Sequence, residues 1–223
     1  MPDSSAPSPT DRFGRGRRLV LGVSGASGMP YATALTRAIL ERTGFELHLV
    51  FTPAAGQVLL RECGVALQGG MVNLAEFLSL DAASPEAQEA ARRIIQYPPR
   101  DIGARLASGS FLHDGMIVCP TSANTLGSLA AGMTPNLLTR AADVTLKEGR
   151  KLLLVPRETP LSLIHLRAMT TLAEAGAIIL PAMPGFYHRP QTVEDIVNFM
   201  VMKIFDRMGF PLETDDRWNP TLD

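Results

Sequence analysis

Gly22-Val23-Ser24-Gly25-Ala26-Ser27-Gly28 is the stretch that decides the fold. It follows Leu19-Val20-Leu21, an apolar run that reads as a buried strand. Beyond it, Pro30 and the apolar spacing of Tyr31, Leu35, Ala38 and Ile39 predict a helix with Ser27 near its start. A strand, a glycine-rich turn and a helix N-terminus aim unpaired N–H groups and the helix dipole at one spot, which favours an anion. The hydroxyls of Ser24 and Ser27 add donors that the anion could use. The functional reading is a phosphate-bearing cofactor; the bland one is a structural turn.

The glycine spacing narrows the cofactor. G-x-x-G-x-x-G is neither the dinucleotide pattern G-x-G-x-x-G nor the P-loop G-x-x-x-x-G-K-[ST]. A nicotinamide-binding unit also places an acid at the tip of its second strand, to hold a ribose hydroxyl. Here the second strand reads as Glu46 to Phe51 and ends in Thr52-Pro53-Ala54-Ala55, which offers a hydroxyl and no carboxylate. A mononucleotide such as FMN fits these residues better than NAD.

Working outward, strand-like and helix-like segments alternate, which predicts α/β architecture with a parallel sheet. After the first two strands, Pro53 opens a helix to about Glu62. A second helix reads from Ser84-Pro85 through Ile95, within a less clear stretch from Leu67 to Leu106. Met116 to Cys119, Lys151 to Val155 and Ala177 to Leu180 read as the third, fourth and fifth strands. Helices are predicted near Thr125–Ala131, Leu137–Lys147, Pro160–Ala175 and Val193–Met208. The domain reads as residues 17–210, with a polar tail at 1–16 read as disordered and a second tail at 211–223.

Composition excludes several classes. A net charge of −1 over 223 residues argues against a nucleic-acid surface. Arg17-Arg18 precedes too short an apolar run for export or for a membrane span. Two cysteines, Cys63 and Cys119, read as reduced thiols suited to the cytoplasm. There is no C-x-x-C, H-x-x-x-H or aspartate-rich Mg²⁺ motif, so no metal site is expected.

Ligands in such sheets bind outside the carboxyl ends of the strands. The informative loops all follow strands: the glycine turn, Thr52, Pro120-Thr121-Ser122-Ala123-Asn124-Thr125, Pro156-Arg157-Glu158-Thr159-Pro160, and the segment Pro181 to Pro190. Ser122 and Asn124 read as helix caps or as flavin donors. Arg140 and Lys147 recur on one helical face, which reads as a solvated face or as an anion site. Arg157-Glu158, at a strand end, suggests anion binding coupled to proton transfer. Tyr187 and His188 stay open between packing and pocket lining. His48 and Cys119 read as structural, and Met200, Met202 and Met208 as core.

Together GVSGASG, CPTSANT, LLTRAADVTLKEGRKLLLVPRETP and PAMPGFYHRPQTVEDIV resemble the UbiX-type flavin prenyltransferases, over about nine-tenths of the chain. The resemblance implies a flavodoxin-like, Rossmann-type three-layer α/β sandwich. It implies transfer of the dimethylallyl group of dimethylallyl phosphate to N5 and C6 of reduced FMN, without a metal. The product is the prenylated cofactor of UbiD-type decarboxylases. It further implies a homododecamer with each site shared between subunits. By motif, Gly25, Ala26, Ser27, Thr52 (where the family usually has Ser), Ser122, Ala123, Asn124, Thr125 and Arg157 would bind FMN. Ser108 and Ser110 would complete a neighbour's site. Arg140, Lys147, Tyr187 and Lys203 would meet the prenyl phosphate, Glu62 and Glu158 would move protons with Ser27 beside them, and Trp218 would close the pocket. The chain departs from the family pattern at Gly149 and Lys203, each in place of an arginine, and in the stretch from Leu67 to Leu106. PTSANT also resembles the PASANT motif of phosphopantothenoylcysteine decarboxylases, which makes that FMN-dependent reaction the rival; a flavin-storage module is the third reading.

Overall fold

The computed structural model describes residues 16–211. Six parallel strands form one sheet: β1 (Arg18–Val23), β2 (Glu46–Phe51), β3 (Ile94–Tyr97), β4 (Met116–Thr121), β5 (Leu152–Pro156) and β6 (Ile178–Ile179). Their spatial order is β3-β2-β1-β4-β5-β6. The helices are α1 (Met29–Arg42), α2 (Pro53–Cys63), α3 (Leu74–Phe77), α4 (Pro85–Arg93), α5 (Ala123–Ala130), α6 (Leu137–Lys147), α7 (Leu163–Glu174) and α8 (Val193–Met208). The sheet is doubly wound, with its direction of winding reversing between β1 and β4.

Strand alternation divides the core into two layers. Leu19, Leu21 and Val23 of β1 face α1, α2, α3, α4 and α8, together with Leu47, Leu49 and Phe51 of β2. Val20, Val118 and Leu154 face α5, α6 and α7. Burying each such side chain contributes about 1.5–3 kcal/mol, which makes this packing the main source of stability. Polar caps at Thr52, Ser84, Ser122, Asn136, Ser162 and Thr192 then fix where helices begin. Each such cap contributes about 1 kcal/mol.

The expected helix through Ile95 is corrected. It ends at Arg93, and Ile94–Tyr97 is an edge strand paired with β2. Ile94 sits where Ala87 and Ala90 make it look like the next apolar helix position, but the two isoleucines are β-branched and pair better in a sheet. The five strands expected from sequence have the flavodoxin order 2-1-3-4-5 when β3 is left out; β3 adds a sixth outside β2. Arg93, at the end of α4, ties that helix to α1, donating to the carbonyls of Ile39, Leu40, Thr43 and Phe45 around the end of α1. A smaller correction is that α7 starts after Ser162, not at Pro160.

Candidate functional site

The crevice outside β1 and β4 is built by two loops tied together. Ser24 is fully buried, donates to the Pro120 carbonyl at 3.0 Å and accepts the Ser122 N–H at 2.7 Å. The expectation that its hydroxyl would serve an anion is therefore corrected: it joins the β1 loop to the β4 loop. Thr121 does the same for the next pair of strands, accepting the Val155 N–H at 3.0 Å and, by its carbonyl, the Arg157 N–H at 3.3 Å. Arg157 is thereby set, exposed, at the end of β5.

At the start of α1 the anion-binding expectation meets a second correction. Gly28, in the left-handed region at φ 115°, caps the helix without a side chain. A carboxylate from the protein itself takes the free N–H groups: Glu62 Oε2 accepts Gly28 N at 2.9 Å and Met29 N at 2.8 Å. Desolvation raises the Glu62 pKa, but the Ser27 hydroxyl, these two N–H groups and the Arg157 charge outweigh it. They hold the carboxyl below its ordinary value. α2 starts with Thr52 at the end of β2 and finishes beside the start of α1, so it lies across the carboxyl edge of the sheet. Sequence periodicity gives the helix but not this direction.

Other expected residues cluster on the same edge. Thr52 is nearly buried and accepts the Ala55 N–H at 3.2 Å, so its O–H is the donor it can offer. Gly25, Ala26 and Ser27 form the turn, with Ala26 buried. Ser122 caps α5, and its hydroxyl meets Thr125 Oγ1 at 3.1 Å; Ala123 and exposed Asn124 begin the helix. Exposed Glu158 accepts the Thr159 N–H at 3.1 Å. Tyr31 lies against Gly28 and within electrostatic reach of Arg157, and it packs against the cluster formed by Phe199, Met200 and Met202. Sequence reading took Tyr31 only as an apolar helix position, and no signal in the sequence set it apart. Tyr187 meets Phe199 edge-on at 5.6 Å, and the Lys203 ammonium lies 5.5 Å from the same ring.

The remaining expected residues lie elsewhere. Arg140, on α6 in the opposite helix layer, pairs with Asp143 at 2.9 Å. Lys147, at the end of α6, pairs with Glu148 at 2.5 Å. Ser108 and Ser110 are exposed and bonded to each other at 2.8 Å. Arg150, just ahead of β5, holds the carbonyls of Gly109 and Phe111. Ser108, Ser110 and Lys147 therefore lie toward the amino edge of the sheet, near the start of β5, whereas Arg140 stays on the first turn of α6, whose Leu137 N–H bonds the Pro99 carbonyl. Trp218 lies outside the described residues.

Cys119 is buried, and its burial pushes the thiol pKa far up, which suits an inert core residue. His48 is also structural, bonded to the Tyr97 hydroxyl and to Glu46, each at 2.8 Å. Among the described residues no group of three or more His, Cys, Asp or Glu is placed to hold a metal ion.

Hydroxyls of Ser27, Thr52 and Ser122, the Asn124 amide and the Arg157 guanidinium form a donor-rich set along one edge, with no carboxylate at the tip of β2. This chemistry fits a flavin mononucleotide. Comparisons agree with it. Residues 7–205 match the flavoprotein family. The chain is 44% identical over 202 residues to the flavin prenyltransferase LpdB of Lactiplantibacillus plantarum, covering 91% of this chain and 98% of that one. It resembles a dodecameric FMN-dependent UbiX-like decarboxylase from Escherichia coli O157:H7, with TM-score 0.76 and 39% identity over 91% of this chain and 99% of that one. It also resembles AnUbiX (PadA1), solved with FMN and dimethylallyl pyrophosphate, with TM-score 0.74 and 36% identity over 92% and 98% of the two chains.

Proposed function

The chain belongs to the flavoprotein family and, within it, to the UbiX-like flavin prenyltransferases, and we propose that it joins the dimethylallyl group of dimethylallyl phosphate to reduced FMN. The observation that carries this reading is Glu62. An ionised carboxylate is wired to the α1 N-terminus beside Arg157, in the crevice where the winding reverses. When bound and reduced, FMN supplies the nucleophilic ring atoms. Gly25, Ala26, Ser27, Thr52, Ser122, Ala123, Asn124, Thr125 and Arg157 would hold it.

The protein supplies placement and charge. A monophosphate leaves readily only if fixed donors meet the charge that develops as its C–O bond breaks. Tyr187 and Lys203 stand on the α8 side for that purpose. Glu62 Oε atoms, held low in pKa, would receive a proton late in the reaction, with Glu158 as the second acid–base group and Ser27 donating to Glu62. Trp218, in the tail from 211 to 223, is proposed to close the pocket.

Lys147, Ser108 and Ser110 lie toward the opposite edge of the sheet and Arg140 lies on the opposite helix layer, so we assign all four to the site of a neighbouring copy. A closed homo-oligomer, a dodecamer, would bring them there. It would also cover apolar side chains left exposed here, among them Met133, Leu163, Ile164, Met183 and Phe186. Among the described residues no helix is long and apolar enough to cross a membrane. Exposed Cys63 and buried Cys119, both free, suit a reducing cytoplasm. The product would pass to a UbiD-type decarboxylase.

Mass analysis of flavin after incubation with reduced FMN and dimethylallyl phosphate tests the reading. A gain of one prenyl group supports it. Loss of CO₂ from a phosphopantothenoylcysteine substrate would support the rival decarboxylase instead, and neither reaction would leave a flavin-storage module.

A further inference from the structure

His188 shares the α8 side of the site, and the proposed reaction has given it no task. Its ring stacks on Phe199 with centroids 4.9 Å apart and an interplanar angle of 1°. Both ring nitrogens are buried, and among the described residues neither has a hydrogen-bond partner. Leaving a buried donor and a buried acceptor unmatched is costly, and native structures rarely do so without a ligand or a water to fill the gap. Because the two rings are parallel, the nitrogens lie in the ring plane and point past Phe199, not into it.

The loop is shaped to hold this pose. A Cβ on Gly185 would come within 3.0 Å of the Tyr187 ring and 3.3 Å of Phe199, so any side chain there would push against both rings. Arg189 takes a left-handed φ of 54°, an uncommon choice for a residue with a side chain. Its N–H returns to the Phe186 carbonyl at 3.0 Å, closing a turn around Tyr187 and His188. Asp195 then ties the exit of the loop to α8, accepting Gln191 N and Thr192 N at 2.8 Å each. Two independent anchors thus hold the imidazole on the Phe199 ring, which the Lys203 ammonium also approaches at 5.5 Å.

We propose that His188 is a further contact for the phosphate of the prenyl donor, its imidazole N–H meeting a phosphate oxygen beside the Lys203 ammonium. Lys203 is a mobile point charge without directional grip. An N–H held by stacking supplies the direction that the lysine lacks. This inference rests on the function proposed above, and it names the residue that orients the substrate's anionic end.

His188→Phe keeps the stack and removes both nitrogens, and His188→Gln returns an N–H at similar reach. In FMN-loaded protein, the KM for dimethylallyl phosphate and the inorganic phosphate dissociation constant should both rise tenfold or more in His188→Phe. His188→Gln should recover part of that loss, with FMN affinity and melting temperature unchanged in both variants. Unchanged phosphate affinity in His188→Phe, or a loss that merely follows weakened FMN binding or a lowered melting temperature in both variants, would overturn the assignment. A wild-type protein that binds no phosphate would do the same. Should the wild type bind phosphate yet fail to prenylate FMN, the proposed function fails while the phosphate measurement still decides the role of His188.

Discussion

The carboxyl-edge crevice and the Ser108–Glu148 surface both carry charged residues, but they treat those charges differently. In the crevice, Glu62 is fixed by two backbone N–H groups and the neighbouring loops are locked by buried Ser24. On the opposite helix layer, Lys147 pairs with adjacent Glu148, and Arg140 pairs one turn along its helix with Asp143. Exposed pairs of this kind contribute little to stability and exchange partners readily. One region is assembled by its own fold; the other keeps its cations in exposed local pairs.

Removing a charge from each region should break activity on both sides of this comparison. Glu62→Gln should lower product formation at least ~10²-fold, as loss of an acid–base group does, with FMN still bound. Lys147→Ala should lower it by a similar factor. Single-turnover assays of flavin mass would show both. Co-expressing the two variants sharpens the test, because mixed oligomers contain some sites with both residues intact and should regain activity. Failure to recover would mean that Glu62 and Lys147 do not meet across subunits.

Acidity should separate the two regions next. Phe111, which follows the Ser108–Ser110 segment, lies edge-on to His48 at 4.8 Å and stacked near His113 at 6.0 Å. Burial lowers both imidazole pKa values from 6.5 to about 4. The unfolded chain therefore takes up protons that the fold refuses. Stability from these groups is complete above pH 6.5 and falls as pH drops toward 4, by up to about 1.4 kcal/mol per pH unit for each histidine. Thermal melts across that range should show the decline, and His48→Asn with His113→Asn should flatten it.

Ser24→Ala tests the lock between the loops. It leaves the Ser122 N–H without its acceptor, which should cost about 1–3 kcal/mol and show as a lowered melting temperature. The smallest effect belongs to the far surface. Asp143→Asn should change stability by less than about 1 kcal/mol, since its pair with Arg140 is exposed. A larger change in the isolated subunit would show that this surface is structurally built in, and the contrast would fail.

The parts legible in the sequence are those whose cause is local. β2, α6 and α8 begin and end where their apolar runs, caps and glycines place them. Thr52 and Arg157 stand where strand ends put them. What escaped depends on distant partners. Ile94 and Ile95 continue a helical pattern, and only the free edge of β2 makes them a strand. Ser24 looked like a ligand donor because nothing in the sequence shows it facing Pro120. Glu62 was legible as an acid but not as the group occupying the start of α1, since that depends on α2 turning across the sheet. Tyr31 gains its interest from Phe199, far along the chain, and His188 from the same ring on the next helix.

α2 also acts as a ruler. Thr52 at one end and Glu62 at the other are ten positions apart, about 15 Å along a helix that rises 1.5 Å per residue. Inserting or deleting one residue within α2 would change that length only slightly but swing Glu62 about 100° around the axis, away from Gly28 and Met29. Exposed side chains such as Gln57 and Arg61 leave that spacing untouched when they change; a change in the helix's residue count does not.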